Sequence, residues 1–274
     1  MDILGYEFFQ NAIIGSLLAS IVCGIVGTYI VTRRLVFISG GITHASFGGI
    51  GLGVYFGLSP VLSAMAFAVA CACGVQYMSE KGGVREDSAI ALFWTLGMSI
   101  GVICCFMTPG VMPDLPSYLF GNILTISRAD LWILFANMIV VVVVFAAFFR
   151  YIVAISFDPV FSRSQGLPVR ALEYMMIVLI AITIVSALRI VGIVLAMSLL
   201  TIPQITANLL TSRYIPIILL SILFSVIFCL SGLAFSYFLN VPSGASIILV
   251  SVVFYGLAKA IKCATMSYIS KKAQ

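Results

Sequence analysis

The sequence has 274 residues, of which 62% are hydrophobic and only 8% are charged. Soluble domains carry charge on about a quarter of their residues, so this composition excludes an ordinary soluble protein and indicates a polytopic membrane protein. The formal net charge of +5 does not indicate nucleic-acid binding, because the basic residues are scattered at the ends of apolar segments. We therefore expect one membrane domain over residues 1–274, with no nucleic-acid partner.

Apolar segments of about the length of a membrane-spanning helix recur along the chain. They predict an all-α protein with about nine spans, at roughly 11–31, 35–57, 61–78, 89–107, 131–149, 172–188, a seventh that ends near 210, 215–239 and 245–261. Asp87 or Ser88 is expected to N-cap the fourth. Arg189 and Gly192 interrupt residues 172–210, which leaves two full spans, a broken helix or a re-entrant pair open there. The count therefore lies between eight and ten.

Basic residues predict the orientation, because cytoplasmic loops carry an excess of Lys and Arg. With nine spans, one side of the membrane receives most of them: Arg33, Arg34, Lys81, Arg85, Arg163, Arg170, Arg213 and the lysines of the C-terminal tail. The N-terminus is then outside and the C-terminus cytoplasmic. Arg128 and Arg189 do not fit this pattern.

The second segment contains the only histidine, His44, within the stretch SGGITHASFGGIGLG at 39–53. Small residues recur there at every fourth position, which allows close helix packing in a membrane, and we expect packing to be their main role. Ionisable side chains at membrane depth usually face a bundle interior or a water-filled cavity. Two interpretations stay open. His44 lines a transport pathway, together with Ser39, Gly40, Thr43 and Gly48, or it makes a structural hydrogen bond.

The longest polar connection predicts a short cytoplasmic helix near 157–167. Asp158 is a suitable N-cap, Pro159 fits the first helical position, and Gly166 fits the position just past the C-cap. Apolar side chains at Phe157 and at Val160 or Phe161 would remain exposed. This helix either docks into a groove of another protein or covers the end of its own bundle.

Two further segments have open roles. Residues 116–127 are too short to span a membrane and are expected to lie at its outer surface. Pro203 predicts a kink within 198–210, because proline lacks a backbone donor. That kink either lines a pathway or shapes the bundle.

Motifs for enzymatic chemistry are absent from the sequence. It contains no GxxxxGK[ST] phosphate loop, no HExxH and no GxSxG, so we predict no catalytic residue and no ATP hydrolysis by this chain. The seven cysteines lack the paired spacing of zinc or redox sites and are expected to be small buried side chains.

Several runs together resemble the permease subunits of ABC importers for manganese, zinc and iron. They are TYIVTRRLVFISGGITHASFGGIGLG, REDSAIALFW, SYLFGNIL, FDPVFSRSQGL, RIVGIVLAMSLLTIPQITANLL and VPSGASIILV, in that order within residues 11–262. The resemblance implies a type II importer bundle in a bacterial inner membrane. It also implies three protein partners, namely a second copy of the chain, a separate cytoplasmic ABC ATPase that binds ATP, and an extracytoplasmic metal-binding protein. The metal is then a transported ion, and no bound cofactor is expected.

By the same resemblance, His44 matches a histidine that meets the metal in the central pathway. The short helix matches the element that couples to the ATPase, with Asp158, Pro159, Phe161 and Gly166 as coupling residues. Many relatives carry Asp four residues before the histidine, whereas this chain has Gly40. Two other functions remain as alternatives. One is a permease for a larger metal chelate such as haem, a siderophore or cobalamin, and the other is an ion-coupled secondary carrier.

Overall fold

The computed structural model describes residues 7–109 and 126–272, and this part of the chain is helical, without strands. The helices are α1 Glu7–Thr32, α2 Val36–Tyr55, α3 Pro60–Lys81, α4 Glu86–Met107, α5 Arg128–Phe157, α6 Pro159–Ser164, α7 Val169–Val191, α8 Ile193–Leu199, α9 Ile202–Leu210, α10 Tyr214–Leu239 and α11 Ser243–Lys272. The predicted all-α class is confirmed.

Within residues 7–109 and 126–272, eight segments are long and apolar enough to cross a membrane, with α8 and α9 counted as one. α2 is the ninth predicted segment, and it contains six glycines together with Ser39, Thr43, His44 and Ser46. It is almost entirely buried, and α3, α4, α7 and α8 pack around it. A helix with so little lipid contact does not need the apolar surface of an outer helix. α5, α10 and α11, by contrast, carry many exposed large apolar side chains.

The interruption predicted at Arg189 lies three residues before the break in the structure, which is at Gly192. The helix backbone continues through Arg189 and α7 ends at Val191. Gly192 then adopts a φ of +77°, which residues with a side chain rarely do, and α8 starts directly after it. Residues 169–210 therefore form two spans. The first is the long helix α7, and the second consists of α8 and α9 with a break between them.

The second break lies before Pro203, in the first turn of α9. Pro203 has no N–H to donate to the carbonyl of Leu199, four residues earlier. The side chain of Gln204 replaces that donor, with Nε2 at 3.1 Å from the Leu199 oxygen and 2.8 Å from the carbonyl oxygen of Cys23 in α1. Because Gln204 is fully buried by these contacts, the kink shapes the bundle at this point.

The predicted N-cap of α4 is wrong. The helix begins at Glu86 after Arg85, so Asp87 and Ser88 lie within its first turn. The apolar pattern marks where burial begins, but acidic residues in the first turn are stabilised by the helix dipole and extend the helix beyond that pattern.

Ion pairs at one end of the bundle join segments that the orientation rule assigned to the same side. Arg33 follows α1 and pairs with Glu173 at the start of α7. Its Nη1 also donates to the carbonyl oxygen of Ile155 near the end of α5, at 3.0 Å. Arg170 pairs with Glu80 at 3.1 Å. These contacts place the ends of α1, α3 and α5 and the start of α7 on one side.

Arg128 lies at the opposite end, where it pairs with Glu7 at 2.7 Å. Arg128 therefore lies on the side opposite to most basic residues, as the sequence indicated, and its charge is paired with the carboxylate of Glu7. Of the segment predicted at the outer surface, residues 116–125 lie outside the described part of the chain.

The cysteines largely follow the prediction. Five are buried and Cys73 is partly buried, whereas Cys263 is exposed.

Candidate functional site

Glycines bring α2 and α4 into backbone contact around the histidine. A Cβ added to Gly48 would lie 2.6 Å from the carbonyl oxygen of Gly97, and one added to Gly97 would lie 2.5 Å from that of Ala45. One turn further on, a Cβ on Gly51 would lie 2.6 Å from the Gly101 oxygen. Such distances leave no room for a side chain, so the small residues have the packing role that the sequence predicted.

The other glycines of α2 face α3 and the start of α4. A Cβ on Gly49 would meet Ala64 Cα at 2.6 Å, and one on Gly53 would meet Pro60 Cα at 2.9 Å. Gly41 lies against the side chain of Ile90. The glycine face is therefore already covered within the protomer.

His44 lies half-buried on α2, with its ring stacked on the indole of Trp94 from α4. The ring centroids are 4.4 Å apart and the planes differ by 4°. Nδ1 is buried and has no hydrogen-bond partner among the described residues, whereas Nε2 is not enclosed in this way. The stack therefore fixes the plane of the imidazole and leaves Nε2 as its accessible nitrogen.

The hydroxyl groups near His44 donate to their own helix. Ser39 Oγ donates to the Val36 oxygen at 2.8 Å, Thr43 Oγ1 to the Ser39 oxygen at 2.5 Å, and Ser46 Oγ to the Thr43 oxygen at 2.6 Å. The side chains of Ser39 and Thr43 are fully buried. Gly40 and Gly48 are buried where α2 packs against neighbouring helices. In the described residues no hydroxyl makes the structural hydrogen bond with His44 that the sequence left open.

A methionine occupies the space beside Gly40, one turn before His44. A Cβ on Gly40 would lie 2.9 Å from Met197 Cε and 3.6 Å from its Sδ. Met197 belongs to α8 and is partly buried. In the described part of the chain, no three His, Cys, Asp or Glu side chains come together in a group able to hold a metal ion. His44 and the thioether of Met197, next to Gly40, are two donor groups that the described residues place along α2.

Sequence reasoning missed Met197 and Trp94. The position of Met197 depends on the break at Gly192, which turns α8 towards α2, and a hydropathy pattern does not give that angle. Trp94 falls within an apolar run, where an aromatic residue has no distinguishing signal.

The predicted short helix is present as α6, with its start formed as expected. Asp158 is the N-cap, and its Oδ1 accepts a hydrogen bond from the backbone N–H of Phe161 at 2.8 Å. Pro159 occupies the first turn, where its missing N–H costs nothing.

Glycine ends α6 in a Schellman motif. Gly166 has a φ of +78° and donates to the Arg163 oxygen at 3.1 Å, while Leu167 donates to the Ser162 oxygen at 3.2 Å. Ser162 is the buried residue of the helix.

Three apolar side chains at or next to α6 are largely exposed, although the ring of Phe157 also contacts Tyr214 of α10 edge-to-face. Phe157 is 64% exposed, Val160 78% and Phe161 61%. This exposure favours a docking surface over a cover for the bundle's own end, because a cover would bury these groups.

A profile of the ABC 3 transport family matches residues 5–262. The chain belongs to the ABC 3 transport family. It is 39% identical over 259 residues to an uncharacterized membrane protein of Synechocystis, which covers 94% of this chain and 92% of that one. It is 34% identical to the manganese transport system membrane protein MntC of Halalkalibacterium halodurans, over 94% of this chain and 88% of the relative.

A solved structure, PsaBC from Streptococcus pneumoniae in complex with a Fab, has the same fold. Its TM-score is 0.84 at 29% identity, and the match covers 93% of this chain and 92% of that chain. The predicted family and the type II importer-like bundle are thereby confirmed. As a member of the ABC 3 transport family the chain is a multi-pass membrane subunit of an ABC transporter, and not itself an enzyme.

Proposed function

We propose that this chain is the permease subunit of an ATP-driven importer of divalent transition metal ions, namely manganese, zinc or iron. The observation that carries the proposal is the single histidine, His44, held by Trp94 on an enclosed helix of a fold shared with metal-import relatives. Imidazole nitrogen is a common ligand of such ions. Two copies of the chain would bring two histidines to the pathway.

Energy for transport comes from a separate ABC ATPase, because the sequence has no phosphate loop. We propose that α6 docks into a groove of that ATPase through Phe157, Val160 and Phe161. ATP binding then shifts the population between outward-facing and inward-facing states. A metal-binding protein delivers the ion on the extracytoplasmic side of the bacterial inner membrane.

The proposal is tested by purifying the chain from its native membrane and identifying the proteins that accompany it. We expect an ABC ATPase in about equal amount and, after reconstitution into vesicles, uptake of radioactive manganese, zinc or iron that requires ATP. A chain that purifies alone and transports without ATP would show a secondary carrier. Uptake of a haem or siderophore complex in place of the free ions would show a chelate permease.

His44→Phe tests the role of the histidine in the same vesicles. Phenylalanine keeps an aromatic ring on Trp94 and removes both ring nitrogens, so we expect assembly with the ATPase to persist while metal uptake is lost. His44→Ala should also lower uptake, but it removes the stack as well. Normal uptake at limiting metal in both variants would contradict a pathway role for His44.

A further inference from the structure

The strongest unexplained contact near His44 is the one between Gly40 and Met197. These residues are far apart in sequence, yet the thioether of Met197 fills the space that a side chain at Gly40 would occupy. Residues four apart on a helix have Cβ positions about 5–6 Å from each other. The sulfur therefore lies on the same face of α2 as the imidazole, about one turn away.

The surroundings of His44 contain few oxygen donors of the kind that hard ions prefer. The hydroxyl protons of Ser39, Thr43 and Ser46 are all directed to backbone oxygens of α2. Among the described residues, no cluster of carboxylates approaches the histidine. The carboxylates of Glu80, Glu86 and Glu173 lie at helix ends on the side of Arg33.

We propose that Met197 joins His44 as a ligand of the transported ion and makes this pathway prefer zinc to manganese. This inference rests on the proposed function and specifies its substrate. Thioether and imidazole donors suit zinc and softer ions, whereas manganese binds best where carboxylate oxygens are present. Met197 is partly buried and unbranched, so its sulfur can turn towards an ion without movement of the backbone.

The first experiment replaces sulfur without changing the volume of the side chain. In vesicles containing the assembled transporter, zinc should compete with manganese uptake in the original protein. Met197→Leu should weaken that competition by at least roughly tenfold, because even loss of a residue that only supports a metal ligand costs about that much. Met138→Leu is the matched control, because Met138 lies on α5, which packs mainly against α1 and α7, and it should leave the competition unchanged.

A spectroscopic measurement gives a second readout that does not depend on transport. X-ray absorption of zinc bound to the assembled transporter should show a sulfur neighbour at a longer distance than the about 2.3 Å of a cysteine thiolate, because a thioether is a neutral donor. That signal should disappear in Met197→Leu and persist in Met138→Leu. A sulfur neighbour that persists in Met197→Leu would overturn the proposal, because it would come from a cysteine.

The double variant Gly40→Asp with Met197→Ala exchanges the sulfur for a carboxylate one turn before His44. The substitution is sterically feasible, since the atom nearest to the new Cβ is the terminal methyl of the methionine being removed. We expect the preference to shift from zinc towards manganese. If Met197→Leu does not assemble, the double variant provides the test in its place. An unchanged preference for zinc in the double variant would overturn the proposal. A transporter that takes up none of zinc, manganese and iron with ATP contradicts the proposed function instead.

Discussion

The glycines of α2 and α4 allow the backbones of these two helices to touch, so replacing one of them should lower the stability of the protein. Gly97→Ala places a methyl group where only about 2.5 Å is available to the carbonyl oxygen of Ala45. We expect the free energy of unfolding to fall by about 1–3 kcal/mol, the usual cost of overpacking a well-packed core. Thermal unfolding of the purified protein in detergent measures the change.

Gly256→Ala is the matched control for that substitution. Gly256 also lies within a helix, but nothing would contact its added Cβ within 4 Å. Alanine has the higher helix propensity, so the melting temperature should stay the same or rise. Equal losses in both variants would show that the contact of Gly97 with Ala45 of α2 does not explain the effect.

The conformation of Gly166 links the shape of α6 to its proposed docking role. A side chain at this position meets no other atom, but the φ of +78° disfavours it. Gly166→Val should distort the end of α6 at a cost of about 1–2 kcal/mol. We expect the variant to insert and fold normally, while ATP hydrolysis by the partner ATPase is no longer coupled to metal uptake.

Gly166→Asn serves as the control, because asparagine tolerates positive φ better than other residues. It should retain most of the coupling despite a larger side chain. If the valine variant hydrolyses ATP and transports metal in the normal ratio, α6 is not the coupling element.

The orientation of the whole chain is tested with two conservative cysteine substitutions. Ser59 lies exposed in the turn between α2 and α3, and Ser164 lies exposed at the end of α6. In a Cys263→Ser background, which removes the exposed native thiol, a membrane-impermeant maleimide should label Ser59→Cys in intact cells. Ser164→Cys should react only after permeabilisation. The reverse pattern would place the N-terminus in the cytoplasm.

Features that depend on the local amino-acid composition could be predicted from the sequence. The nine apolar segments, the ends of α6 at Asp158 and Gly166 and the close packing at the α2 glycines all follow from hydropathy, capping or side-chain size. The neighbours of this stretch of α2 do not, because the positions of Trp94 at His44 and of Met197 at Gly40 depend on helix crossing angles. Those angles depend on the glycine contacts and on the break at Gly192, which act between distant parts of the chain.

Arg33 has a mechanical consequence for the molecule as a whole. It lies in the turn between α1 and α2 and holds the end of α5 through Ile155 and the start of α7 through Glu173. These two attachments flank α6 in the chain. Any sliding of α6 together with its flanking helix ends must therefore pull on the turn that leads into α2, or break a nearly buried ion pair. If the proposed ATPase moves α6, the two contacts of Arg33 connect that movement to the turn that leads into α2, the helix that carries His44.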